Sequence, residues 1–302
     1  MIQNSLTQNK KQPMVGIKAF NNLMSTDLMK TKIYQMVGRT DAQEFITSIT
    51  SAVNTNPALA ECDSQSIISA ALLGQSLHLK PSPQLGYFYM VPFNNKKKGC
   101  KEAQFQIGYK GYLQLAIRTG EYVDIDAIEI REGEYKGRNK FTGKPEFEFV
   151  DDDTVRENLP VVGYMAYFEM KNGYVKRIYW SKEKMMKHAD SFSMAFSISK
   201  YNDLQAGKIP SSEAWKYSSF WYKNFDEMAK KTMLRQLLSK HALLSTDLQK
   251  AVESDQAVIN SDLQPEFVDS VEESEPEVIE NEQITQDSEE SKELTPEEDP
   301  MF

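Results

Sequence analysis

Apolar positions change their spacing several times along this chain, and each change marks a different element. From Asp41 the spacing is helical: Phe45, Ile49 and Val53 recur every four residues until Asn56-Pro57 ends the run, and Asp41 with Glu44 has the D-x-x-E form of a capping box. Ser64 is placed to cap a second helix carrying Ile67, Ile68, Ala71 and Leu72, which stops before Pro81 and Pro83. The period then drops to two. Residues 86–93 read as a strand with Tyr87, Tyr89, Val91 and Phe93 on one face. After a turn over residues 94–99, Ala103, Phe105 and Ile107 alternate with Glu102, Gln104 and Gln106, so the two runs predict a β-hairpin. Residues 109–119 return to helix, with Gly120 placed as the C′ glycine. Residues 122–131 form a further strand. Residues 161–170 and 174–180, joined by Asn172-Gly173, predict a hairpin with a type I′ turn. Helical runs near residues 212–222 and 225–244 close the body, the second opening on Asn224 and Glu227 as another capping box. Hairpins and helices without βαβ alternation argue for an α+β fold, an antiparallel sheet of hairpins packed with helices and flanked by N-terminal helices.

The two ends depart from this patterning. Residues 1–24 are polar and weakly patterned, which predicts a flexible arm, and residues 25–250 are the expected core. From residue 251 the chain is rich in Glu, Asp, Ser and Pro with few aromatics, the composition of a disordered acidic tail. That tail holds 18 acidic residues against Lys292, a net of −17, whereas residues 1–250 carry 34 basic and 26 acidic residues, a net of +8. The total of −9 therefore conceals a basic body, and a basic body points to a polyanion, nucleic acid being the commonest. Cys62 and Cys100 lack C-x-x-C spacing and suit reduced thiols in a cytoplasm. No run approaches the ~18 apolar residues of a membrane span, and the first residues have no apolar signal core. A cytoplasmic protein with no membrane contact is expected.

Catalytic and cofactor chemistry is poorly supplied. His78, His188 and His241 stand apart without zinc-ligand spacing. The string from Gly137 to Lys144 has five residues between its glycines where a phosphate-binding loop has four, and Pro145 stands where Ser or Thr would hold magnesium. Asp151-Asp152-Asp153 has the residues to chelate a metal, but adjacent carboxylates in a polar stretch fit a solvated loop better. No G-x-S-x-G elbow is present. The sequence predicts no catalytic residue, no metal and no cofactor, and so a binding protein rather than an enzyme.

Cations and flat side chains recur together, as binding to single-stranded nucleic acid requires. Gln104, Gln106, Lys110 and Tyr112 gather where the first hairpin meets its helix; Arg131, Lys136, Arg138, Lys140 and Lys144 crowd the next loop. Lys176, Arg177, Tyr179, Trp180, Lys182, Lys184 and Lys187 run from a strand into a helix start. Lys231 and Arg235 share one face of an otherwise apolar helix, where two cations need an anion: a nucleic-acid phosphate or a buried carboxylate.

Several of these segments carry a resemblance. Leu79-Lys80-Pro81, Gly86-Tyr87-Phe88-Tyr89-Met90-Val91-Pro92-Phe93, Gln106-Ile107-Gly108-Tyr109-Lys110-Gly111-Tyr112, and Leu115-Ala116 with Gly120 are similar to core motifs of the RecT family. Trp221 with the run from Phe225 to Thr232 and Arg235 resembles its C-terminal motif. Ile117 departs from the pattern, which more often has a basic residue there. The resemblance implies annealing of complementary strands without an ATPase, assembly into a ring or helical filament on DNA, and work beside a 5′→3′ exonuclease. It places Gln106, Lys110, Lys231 and Arg235 along a DNA groove, followed by Lys136, Arg138, Lys144, Lys182, Lys184 and Lys187. The partners so implied are single-stranded DNA, the annealed duplex and other copies of the chain. Residues 161–170, apolar on both faces, are expected to form a strand covered on both sides, and the exposed hairpin tip Lys96-Lys97-Lys98 is expected to reach a neighbouring copy in an oligomer that lengthens on DNA. The last residues, 296–302, resemble the acidic tips of bacterial single-strand-binding proteins, which implies docking to the exonuclease or a host factor; a host single-strand-binding protein is a further expected partner. A metal-dependent nuclease and a passive single-strand-protecting protein are the competing readings.

Overall fold

The computed structural model describes residues 13–267 and is α+β. Helices α1 (Ile17–Ser25), α2 (Asp27–Val37), α3 (Ala42–Thr55) and α4 (Pro57–Ala60) lead into α5 (Ser64–Ser76). Apolar residues surround α5 on every side, and Ile67, Ile68, Leu72 and Leu73 are fully buried, so it runs through the interior. A first antiparallel sheet covers it. Strands β1 (Phe88–Asn95) and β2 (Cys100–Ile107) form the predicted hairpin, with Phe88 opposite Ile107 and Met90 opposite Phe105. Phe88 and Met90 face the core while Tyr89 lies exposed, so the aromatic row picked out by the sequence is the outer face.

Helix α6 (Tyr109–Arg118) follows at once, and two glycines set its position. A Cβ on Gly108 would stand 2.0 Å from the Gly86 carbonyl oxygen, and one on Gly111 would stand 2.0 Å from that of Tyr87. Only glycine lets the helix start meet the loop before β1 so closely, which explains the paired glycines of the QIGYKGY segment.

The second sheet comprises β3 (Tyr122–Arg131), β6 (Val161–Met170) and β7 (Val175–Ser181), all antiparallel. Between β3 and β6 the chain makes a separate ribbon, β4 (Tyr135–Arg138) and β5 (Pro145–Phe147), and a short helix, α7 (Asp153–Glu157). Helices α8 (Lys182–Phe192), α9 (Ile198–Gln205) and α10 (Phe220–Lys223) lead to the long α11 (Phe225–His241). Helix α11 lies across the second sheet and also touches α6, so it ties the two sheets together. An aromatic cluster of Phe196, Tyr201, Trp221, Tyr222 and Phe225 anchors its first turn.

Several local expectations are corrected. Asp63, not Ser64, caps α5, its carboxylate accepting the Ser66 N–H. Neither proposed capping box forms: Asp41 and Asn224 make no side-chain cap bond, Glu44 pairs with Lys80, and Glu227 pairs with Lys230. The β6–β7 turn is a three-residue loop, Lys171-Asn172-Gly173, with Gly173 alone at positive φ (81°); Met170 donates its N–H to the Tyr174 carbonyl. A type I′ turn needs positive φ at two residues, so the extra residue replaces it. Strand β6, in contrast, is covered on both sides as its two apolar faces require: α11 packs on it, Phe147 and Phe149 of the ribbon segment share a cleft with its Met165, and Tyr135 stacks at 4.2 Å on Tyr179 of the adjoining β7. At the lysine hairpin tip Lys98 pairs with Glu102 at 2.8 Å and Glu266 at 3.4 Å, while Lys96 and Lys97 are exposed.

The expected boundaries also move. Helix α1 begins inside the segment read as an arm, with Phe20 and Met24 buried. Past residue 250 the chain continues as helix α12 (Thr246–Ser254), strand β8 (Ala257–Ile259) and strand β9 (Pro265–Glu266). Strand β8 pairs with β2, giving the sheet order β1-β2-β8-β9. The apolar run Ala257-Val258-Ile259 is wholly buried, and that burial holds the segment in place. The reading of residues 268–302 as a disordered tail, with its acidic tip, lies outside the described residues.

Candidate nucleic-acid interface

Helix α11 carries the two cations that the sequence analysis singled out, and the structure supplies an anion beside them. Asp255, just after α12, is 1% exposed. Its Oδ1 accepts the Ile107 N–H at 2.9 Å, its Oδ2 accepts the Tyr112 hydroxyl at 2.9 Å, and the Arg235 Nε lies 3.4 Å from Oδ2. The buried-carboxylate alternative therefore holds for Arg235, and the carboxylate comes from the segment read as tail. Tyr112 is removed from the expected interface for the same reason: its ring is fully buried, and burial with the adjacent Asp255 charge drives its hydroxyl well above the ordinary value. Lys231, half-buried one turn before Arg235, is held below the usual lysine value by burial; Asp255 opposes this and Arg235 adds to it. An amine in that state gains most from a further anion.

A more open cluster forms at the other end of the helix. Lys184, in the first turn of α8, lies with its Nζ 4.4 Å over the Trp180 ring. Burial lowers its pKa, and Lys240 and Arg138 lower it further. His241 is lowered by burial and then by Lys176 and Lys240. The neighbouring charges acting on both groups are positive. Arg138 of the ribbon and Lys240 of α11 are thus near enough to act on Lys184, and Lys176 of β7 and Lys240 are near enough to act on His241, with Lys184 itself over the Trp180 ring. Sequence reasoning passed over Lys240 and His241 because basic residues in a last helical turn ordinarily complement the helix dipole.

The ribbon is firmly held. Glu134 at its root is fully buried; burial alone would raise its carboxyl, but the Arg156 guanidinium at 2.6 Å and the N–H groups of Arg131 and Val150 hold it below the usual range. Arg131 pairs with Glu129 at 2.7 Å and donates to the Leu159 carbonyl, so it serves the fold. Lys136 pairs with Glu148, whereas Lys144 is exposed in the ribbon turn.

The remaining expected residues divide. Gln104 is buried in β2, and Gln106 beside it is half-buried and donates to its side chain. Lys110 is exposed at the start of α6, beside the exposed Tyr89. Arg177 is exposed on the ribbon side of β7. Lys182 approaches the Phe225 ring at 5.9 Å, and Lys187 pairs with Glu183 at 2.7 Å. Asp152 of the aspartate run caps α7, accepting from Thr154 and Val155, and among the described residues no group of three or more His, Cys, Asp or Glu side chains converges to hold a metal.

Strand β7, the ribbon and the ends of α8 and α11 thus carry exposed cations on one another's flank. The chain belongs to the RecT family, whose sequence profile matches residues 43–280, and this is a family of DNA recombination and single-strand annealing proteins. It is 37% identical over 248 residues to the uncharacterized protein YqaK of Bacillus subtilis (strain 168), covering 80% of this chain and 75% of that protein. It is 30% identical over 223 residues to Protein RecT of Escherichia coli (strain K12), covering 71% of each. The matched region runs through α12 and β8, as expected if Asp255 is part of the body. No helix among the described residues is long and apolar enough to cross a membrane.

Proposed function

We propose that this protein binds single-stranded DNA and anneals complementary strands without ATP, through a basic groove lined along α11 and the second sheet, with several copies assembled along the strand. What supports this reading is the set of cations Arg138, Lys176, Lys184 and Lys240 on ribbon, strand and helix, near enough to one another or to His241 to act on their titration, with Lys184 over the Trp180 ring. Gln106, Lys110 and Lys231 extend the groove toward the first sheet. Phosphate contacts hold a strand without reading its sequence, which suits an annealer, because complementarity does the reading. A 5′→3′ exonuclease that exposes single strands is the natural supplier of substrate.

A fluorescence-quench assay with complementary oligonucleotides tests the reading. Annealing faster than the spontaneous rate, and unaltered by ATP, is expected. A tenfold rise with ATP would refute nucleotide independence, and slowed pairing would identify a passive protecting protein.

The same cluster sets a pH dependence. In the free protein burial, Lys176 and Lys240 hold His241 below its ordinary 6.5. Bound phosphates offset those lysine charges and raise it, so binding takes up a proton and affinity grows as pH falls from about 8 to 6. If the imidazole holds its proton about tenfold more tightly in the complex, DNA affinity rises by at most about tenfold over that range, and we expect about three- to tenfold by titration. His241→Gln should flatten the profile without abolishing binding.

A further inference from the structure

The ribbon turn carries an aromatic ring for which the fold has no use. Phe141 is 97% exposed, yet it does not sit on a loose loop. The Asn139 Oδ1 accepts the N–H groups of Phe141 and Thr142, each at 3.0 Å, and the Asn139 Nδ2 donates to Glu146 at 2.9 Å. The Asn139 N–H meets the Lys144 carbonyl at 2.8 Å, and the Arg138 guanidinium donates to the Gly143 carbonyl at 2.9 Å. Below the turn, the Tyr135–Tyr179 stack and buried Glu134 fix the ribbon to the second sheet. A well-bonded turn on an anchored ribbon therefore holds a bare phenyl ring in water, where a flexible or polar residue would be less costly.

The neighbours of the ring indicate what it meets. Lys140 and Lys144 are exposed on either side of it, and Arg138 stands at its root, close enough to Lys184 to act on that charge. A flat apolar face flanked by cations matches a nucleobase flanked by phosphates. We propose that Phe141 stacks on a base of bound single-stranded DNA while Lys140 and Lys144 take the adjoining phosphates, so that the ribbon acts as a rigid finger on the strand. This rests on the DNA-binding reading above and adds a base contact to it.

The test uses the full chain with Phe141→Ala, Phe141→Leu and Phe141→Tyr, and a thymidine oligonucleotide carrying one 5-iododeoxyuridine. Stacking predicts that Ala and Leu each weaken binding about tenfold, that Tyr stays within about twofold, and that photocrosslinking labels Phe141. If Leu binds as tightly as Phe, apolar bulk rather than a flat face matters and the proposal fails. It also fails if Ala leaves affinity and crosslinking unchanged, or lowers only the assembly size seen by light scattering, which would assign the ring to a second copy. A native chain that does not bind the oligonucleotide would remove the DNA-binding reading itself, an outcome distinct from these.

Discussion

Replacing Asp255 with alanine is expected to lower the unfolding free energy by about 3–5 kcal/mol, the loss typical when one member of a buried, hydrogen-bonded charge pair is removed. The carboxylate serves three groups at once: the Ile107 N–H at the end of β2, the Tyr112 hydroxyl inside α6, and the Arg235 guanidinium on α11. Alanine would leave an N–H and a hydroxyl without an acceptor in the interior, and a guanidinium without its nearest anion. Asparagine keeps one carbonyl oxygen and the shape, so Asp255→Asn should lose less. Urea unfolding measures both, and a double-mutant cycle with Arg235→Ala should return a coupling above about 1 kcal/mol. A loss below about 1 kcal/mol for the alanine variant would mean that water replaces the carboxylate and that the node is not dry. The same reasoning decides where the chain can be shortened. A cut after Thr246 removes Asp255 and β8 and should unfold the first sheet, whereas a cut after Phe267 leaves both in place.

Asp255 also shows where the sequence was legible and where it was not. Strands β3 and β6 run over the residues read as strands, β3 with Ile125, Ala127 and Ile130 interleaved with polar residues and β6 as an apolar run closed by the Asn172-Gly173 turn signal. Caps were harder. Asp63 and Ser64 are adjacent and both suited to capping, and Glu44 met Lys80, 36 residues away, a contact that no local pattern announces. Residues 251–267 were lost by averaging: Glu and Asp dominate the last 52 residues, and the short run Ala257-Val258-Ile259 disappears in that window. Moving the boundary to Phe267 also brings in Glu253, Asp255, Asp262 and Glu266, so the net charge of the chain up to that point falls from +8 to +4. The basic character of the protein thus rests on local clustering more than on its total. That Arg235 needed an anion was readable from its apolar helix; that the anion is Asp255 was not, because the carboxylate belongs to a segment already set aside.

Local clustering is what the remaining prediction tests. The combined variant Arg138→Ala, Lys184→Ala and Lys240→Ala should weaken single-stranded DNA binding about a hundredfold or more at low salt while the protein stays folded, since all three side chains are exposed. Each phosphate contact on a single strand contributes about 0.7 to the slope of log affinity against log salt, so three lost contacts should flatten it by about two. A paired control, Lys200→Ala with Lys216→Ala, removes cations that already face Asp203 and Glu213 and should change neither quantity appreciably. The salt slope is the decisive readout. A general loss of positive charge lowers affinity for any anion, but the slope counts the phosphates actually engaged. If the triple variant keeps the native slope, the strand does not cross this cluster. Lys231→Ala then distinguishes the remaining route: Lys231 lies one turn before Arg235 on the part of α11 where the Asp255 charge acts, and a loss confined to it would place the strand along Gln106 and Lys110 instead. Arg235→Ala alone would not separate these routes, because removing it also disturbs the buried node that holds β2, α6 and α12 together.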